Sequence, residues 1–509
     1  MDTKKPSKKG DDVSSGLQVP TLKTLNASSA SLDEAIVYLQ NTDIQKDGSE
    51  AEDARLLRKI DRRIVPIALA IYTLQFLDKY AAVMGLNQDL KLVGNDFNNL
   101  GSAMYIANLV AELPTGYIVQ KVRPGKWLGI NVILWGLVTA CSAAATNYHG
   151  MLACRILVGA LEAATAPCLM LITGMWYTKS EAILRFAIWY CGLGIAQMMG
   201  SLVSWGFQLV KHDSLAGWRI MFIVLGGVTV AGGAWTFMAM PDSPMEAKWL
   251  TDVEKRDAIQ RVAVNQTGIK NTHFKWQHMR ELATDPQIWL LTSIILLFSM
   301  SSGVVSFYST TLIRNFGFSA LRSALLNMPS GAVSLVACLV IAYLAHKQAN
   351  RTRWLTISAC LAAIGSGLMS FLPKSQKAGL LAGIYLVNII TVTLYLIFCL
   401  TTANVAGQTK RVVANALVAG SFSVGNIIGP QLFKPKDAPE YIPAKIVLLV
   451  TQLVAAALAV ILQLYYGWQN KKKDAVEQRE RESGEFKEVA NMGWLNLTDK
   501  ENKTFRYKY

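Results

Sequence analysis

The sequence predicts an all-α membrane protein: twelve transmembrane helices in two six-helix bundles. Three observations carry that expectation. The 509 residues are 52% hydrophobic and only 17% charged, more apolar and less charged than a water-soluble chain of this size. Apolar runs of roughly 20 residues, the length that crosses a hydrocarbon core, recur along the chain. They fall into two sets of six, separated by a polar stretch at 242–286.

Residues 1–60 are rich in Ser, Lys, Asp and Gly and are expected to form a disordered cytoplasmic tail without a cleavable signal peptide. Arg55, Arg58, Lys59, Arg62 and Arg63 crowd against the first apolar run, which places the N-terminus in the cytoplasm by the positive-inside rule. The N-terminal bundle (61–241) has spans near 64–86, 97–120, 127–147, 149–175, 183–210 and 218–240. A cytoplasmic loop follows at 242–286. The C-terminal bundle (287–468) has spans near 288–313, 321–346, 354–372, 378–403, 412–433 and 443–468. The polar tail, 469–509, begins Lys471-Lys472-Lys473 and is expected in the cytoplasm. In the first half the short loops obey the charge rule; in the second they do not, so the first half sets the orientation. The net charge of +15 reads as basic flanks of membrane spans, because no basic face with interleaved aromatics points to nucleic acid. The seven cysteines all lie in apolar runs and form no CxxC pair, so they read as small core residues. Two six-helix halves joined by a long loop are a carrier-like layout, with a binding site expected at mid-membrane between the halves. The halves share no sequence similarity visible by inspection.

The residues that bear chemistry are those hydrocarbon should exclude, since a charge at the bilayer centre costs roughly 2.5–3.5 kcal/mol on the insertion scale. The fourth span contains Arg155 and Glu162, seven positions apart and therefore on one helical face. The small residues Gly159, Ala160, Ala163 and Ala164 let neighbours approach there. The first span holds Asp78 and Lys79, which point about 100° apart on a helix. Lys79 and Arg155 are candidate ligands for an anionic solute, and Asp78 and Glu162 candidate proton carriers. The alternatives are a helix-end pair at Asp78–Lys79 and a static buried pair at Arg155–Glu162. Glu112, next to Pro114, reads as a clamp on Lys121 or Arg123 at the mouth of the bundle. Tyr72, Gln197, Tyr308, Asn388, Tyr395 and Asn426 are candidate solute contacts; the competing role is a hydrogen bond between helices. Gly425 to Pro430 reads as a close-packing and kinking element.

Several chemistries have no motif here. There is no GxxxxGK[ST], no HExxH and no GxSxG, and the five histidines sit in loops or at span ends. No enzyme, no ATP-driven pump, no metal and no cofactor is expected.

Phe76-Leu77-Asp78-Lys79, Ala82 to Leu86, Arg155…Gly159…Glu162-Ala163…Pro167, Gly217-Trp218-Arg219…Phe222 and Pro241-Asp242-Ser243-Pro244 together resemble the fungal allantoate permease family. So do Asn404-Val405-Ala406-Gly407, Gly425 to Pro430, Asp437-Ala438-Pro439 and Leu497 to Tyr507. That family belongs to the anion:cation symporters of the major facilitator superfamily. The resemblance implies the twelve-helix major facilitator fold and proton-coupled uptake of a small organic anion across the fungal plasma membrane. It implies a carboxylate of the allantoate, ureidosuccinate or nicotinate kind and a monomer in the bilayer. It also implies proton binding at Asp78 and Glu162, substrate binding at Lys79, and an Arg155–Glu162 pair. The chain departs from the pattern in the loop after the second span. Gln120-Lys121-Val-Arg123-Pro-Gly125-Lys126 lacks the superfamily's Asp there, so that inter-helix charge lock must be made by other residues. Two other functions fit the same fold: a non-transporting nutrient sensor and an efflux antiporter. The short tails argue against the first. The fifth span, with Gly192, Gly194 and Gly200 but no proline, argues against the second.

Overall fold

The computed structural model describes residues 50–81, 89–93, 95–209, 217–263, 265, 275–348, 350–432, 437, 441–483 and 496–509. The first half consists of α1 (Glu50–Ala81), α2 (Asp96–Lys121), α3 (Pro124–Cys141), α4 (Tyr148–Glu162), α5 (Thr165–Trp176), α6 (Lys179–Leu209) and α7 (Gly217–Ala239). Two short helices, α8 (Asp252–Ala263) and α9 (Trp276–Ala283), lie in the expected central loop. The second half comprises α10 (Pro286–Asn315), α11 (Ala320–Gln348), α12 (Arg351–Phe371), α13 (Lys377–Val387), α14 (Ile390–Asn404), α15 (Gln408–Gln431) and α16 (Ile442–Glu482). Among the described residues, ten segments are long and apolar enough to cross a membrane, counting α4–α5 and α13–α14 as one each. With α1 and α2 beside them, the arrangement is consistent with twelve spans.

The two halves repeat one packing plan. In the first, α1 pairs with α6, α3 with α7 and α2 with α4; in the second, α10 pairs with α15, α12 with α16 and α11 with α13–α14. The halves meet along α6–α11 and α2–α15. The fourth span of each half is interrupted at a corresponding place. In the first, Pro167 cannot donate to the carbonyl of Ala163, so the helix breaks just after Glu162. In the second, Asn388 donates to Ile384 O (2.8 Å) while its own carbonyl accepts Ser334 Oγ (3.0 Å), and the helix restarts at Ile390. This internal repeat was invisible in the sequence because packing positions, not residue identities, are repeated.

Small residues set the spacing. A Cβ on Gly159 would lie 2.0 Å from Met104 O, so α4 touches the backbone of α2. Gly425 and Gly429 press α15 on α10 in the same way. On the seam between the halves, a Cβ on Gly331 would lie 2.5 Å from Gly194 O.

The helices extend beyond the apolar runs at the face that carries the ends of α1 and α16. There α1 begins at Glu50 and ion pairs tie it down: Arg185 to Asp61 at 2.6 Å and Lys59 to Glu254 at 2.7 Å. The loop that lacks an acidic residue borrows two from beyond α7. Lys126 N donates to Asp242 Oδ1 (3.1 Å) and Arg123 pairs with Glu246 (3.2 Å).

Residues 496–509, expected as part of a polar tail, are folded onto the second half. Lys410, wholly buried, holds Glu281, Asp285 and Asp499 at 2.7 Å each. Asp499 also accepts from the Tyr507 hydroxyl (2.7 Å) and from Gln287 (3.4 Å). Asn470 and Asn404 each make paired bonds of 2.8 Å to the backbone of Tyr507 and Lys508. The three carboxylates are close enough to hold a metal ion, but the Lys410 ammonium already supplies their counter-charge.

Candidate functional site

Between the halves lies a cavity of about 30 Å³, walled on one side by α1, α2, α4 and α6 and on the other by α14 and α15. Its chemistry comes from two stripes. On α1, Tyr72, Gln75 and Phe76 face inward; on α2, Tyr105, Asn108 and Glu112 follow the three- and four-residue steps of one helical face. Glu162 enters from the last turn of α4, held there by the break at Pro167. Opposite them, α15 presents Ala419, Phe422 and Ser423, and Ser423 donates to Asn108 Oδ1 across the interface at 3.0 Å.

The two carboxyl groups are deeply enclosed: Glu162 is 1% and Glu112 3% exposed. Glu112 Oε2 has no hydrogen-bond partner. The expected clamp is not formed: Arg123 pairs with Glu246, and Lys121 lies over the ring of Tyr117. Glu112 sits too far inside the bundle to reach either. Its carboxyl lines the cavity beside Glu162 instead. The signal in the sequence is the polar stripe 105–108–112 along one face of α2.

The expected site residues divide into four groups. Tyr72 and Glu162 line the cavity. The side chains of Asp78, Lys79 and Tyr308 lie outside the described residues. Four neutral residues are bonded between or along helices. Gln197 donates to Asn327 Oδ1 (3.3 Å), tying α6 to α11, and Asn388 caps the break before α14. The Tyr395 hydroxyl donates to Cys338 O (3.4 Å), and Asn426 donates to Phe422 O (2.9 Å). Arg155 lies with its guanidinium 5.2 Å from the Phe222 ring centre, on α7. Seven residues of helix separate it from Glu162 by about 10 Å of rise, and no ion pair joins the two.

Cross-bonds close the interface at both ends. Toward one face, Gln431 on α15 donates to Ser102 on α2 (2.9 Å). Toward the other, His346 Nδ1 on α11 lies 3.0 Å from Ser180 O on α6, and Arg351 donates to Lys179 O. A space of 30 Å³ holds about one water, whereas small-molecule sites run to about 300–1,000 Å³. The halves must therefore separate before any organic solute can enter.

Two six-span halves, a repeated packing plan and a closed polar cavity on their shared seam define a membrane carrier rather than an enzyme. Residues 65–430 match the sequence profile of the Major Facilitator Superfamily. The chain is 36% identical to the Thiamine pathway transporter THI73 of Saccharomyces cerevisiae over 504 residues, covering 98% of this chain and 94% of that one. It is 33% identical to the Allantoate permease of the same yeast over 478 residues, covering 90% and 86%. Among solved structures, the proton:xylose symporter XylE has the same fold, with a TM-score of 0.67 at 15% identity over 80% of this chain and 95% of that one. The chain belongs to the major facilitator superfamily, in the group of fungal transporters that includes allantoate permease.

Proposed function

We propose that the protein imports a small organic anion together with protons across the fungal plasma membrane, by alternating access, with both chain ends in the cytoplasm. The observation that carries this reading is the cavity itself: two carboxyl groups, Glu112 and Glu162, enclosed with Tyr72, Gln75 and Asn108 on the seam along which the halves must part. A site of that kind gains an anion only when its own negative charge is neutralised, so proton and solute binding support one another as a coupling free energy. The substrate is a carboxylate of the allantoate, ureidosuccinate or nicotinate class, bound by Lys79 and neighbouring polar groups, with Asp78 and Glu162 taking protons. The allantoate permease relative supports that class.

The test is uptake of radiolabelled allantoate, ureidosuccinate and nicotinate by a transporter-deleted yeast expressing this chain, at several external pH values. Accumulation is expected to rise as pH falls and to collapse with a protonophore. Uptake indifferent to both would reject proton coupling. Glu162→Gln should lose uphill accumulation and keep exchange; full accumulation by that variant would remove Glu162 from the role.

A further inference from the structure

We propose that Glu112 is a proton-binding residue of the seam, whose protonation accompanies closure of the halves; this rests on the proton-coupled reading above. The residue stands where α2 meets α15, one of the two lines along which the halves touch. Its carboxyl faces the other half directly: a Cβ placed on Gly420 would lie 3.5 Å from Oε2. The group is 3% exposed, and Oε2 finds no donor. The groups that face it are known from each packed element. Span one contributes Tyr72, α2 itself Tyr105, span four Glu162 and span five Tyr190, while α14 and α15 bring nothing titratable to the cavity wall. Among the described residues the only formal charge in this set is another carboxylate, and no cation stands within ion-pair distance of Glu112.

An ionised carboxylate in that position would be desolvated with no counter-charge among the described residues, an arrangement proteins avoid. Water restores its solvation when α2 and α15 separate. Closing the seam therefore goes with a proton moving from water onto Glu112, giving the neutral acid, and opening goes with its release. No other bond changes. Pro114, two residues on, removes a backbone donor from α2 beside the group and lets the helix yield there. Glu162 shares the cavity, so a proton on either carboxyl removes the repulsion that favours protonating the other, and the two titrate as one coupled group in two steps.

The experiment needs no substrate. Infrared spectra of the full chain in lipid nanodiscs, in H₂O and D₂O at neutral pH, are compared for wild type, Glu112→Gln, Glu112→Asp and Glu162→Gln. A protonated-carboxyl C=O band with a Glu112 component is expected in wild type; that component is lost in Glu112→Gln, shifted in Glu112→Asp and retained in Glu162→Gln. A wild-type spectrum without such a band, or a band unchanged in both Glu112 variants, overturns the proposal. Transport separates this from the reading it rests on. Proton-driven uptake that survives in Glu112→Gln, together with an unchanged band, sinks the Glu112 assignment alone. A band that behaves as expected in a carrier whose uptake ignores pH sinks the proton-coupled import instead.

Discussion

Glu112 and Asp499 are both buried carboxyl groups of one chain, 3% and 0% exposed, yet they sit in opposite circumstances. Asp499 is saturated: Lys410 at 2.7 Å, the Tyr507 hydroxyl at 2.7 Å, and Gln287 at 3.4 Å. Glu112 faces a small cavity with one oxygen unbonded. Burial alone therefore does not mark a working group in this fold. What separates the two is whether the counter-charge is built into the protein or must come from outside, as a proton or a solute. The first arrangement anchors; the second can change state.

The hardest blow to that contrast is aimed at its anchored side. Lys410→Met leaves Glu281, Asp285 and Asp499 facing one another, and stripping one partner from a buried ionic cluster costs about 3–5 kcal/mol. Thermal unfolding of the detergent-purified protein should show a large drop; an unchanged midpoint would mean the cluster is not the anchor described here. Tyr507→Phe keeps the stack on Tyr466 (5.4 Å between ring centres) but withdraws a donor from Asp499. A hydrogen bond to a charged group is worth about 1.5–3 kcal/mol, so a smaller drop is expected in the same assay. Glu112→Gln should cost no more than about 1 kcal/mol, the ordinary cost of a point substitution, since it breaks no ion pair, while it alters transport. A loss as large as that of Lys410→Met would put Glu112 among the anchors and erase the distinction.

The smallest effect concerns pH. His278, buried beside the anchored cluster, is held below its ordinary value of 6.5 chiefly by burial and then by Lys275. The unfolded chain then takes up the proton first, so stability is full above about 6.5 and falls as pH drops toward the folded value. Melting between pH 7 and 5 should show this decline, and His278→Gln should flatten it; equal slopes in both would remove His278 as its source.

Most of the fold could be read in advance. The spans follow from unbroken apolar runs, and their ends shift outward where charged helical turns continue past the membrane, as at Glu50–Arg63 and Lys471–Glu482. The site was legible in part. A buried Glu162 announces itself because it interrupts an apolar run, and it lies in the cavity. Tyr395, Asn388, Gln197 and Asn426 announced themselves on the same ground, but each donates to a neighbouring backbone or side chain, an outcome that depends on which helices pack together. The clamp expected of Glu112 does not form, because Lys121 and Arg123 are near it in sequence only; in space Glu246, far along the chain, takes Arg123. The burial of 496–509 could not be read from polarity, because its Asn, Asp and Thr side chains are buried by hydrogen bonding while Phe505 and Tyr507 bring apolar surface to the core.

That docked segment has a consequence for biogenesis. A nascent membrane protein is inserted from its N-terminus, so α15 and Lys410 reach the bilayer long before residue 499 leaves the ribosome. During that interval the ammonium has two of its three carboxylates, and Asn404 and Asn470 have none of their backbone partners from the segment. The second half is thus completed by residues that never enter the membrane. A premature stop just ahead of Asn496 would spare every transmembrane helix and still yield a product that cellular quality control can recognise as unfinished.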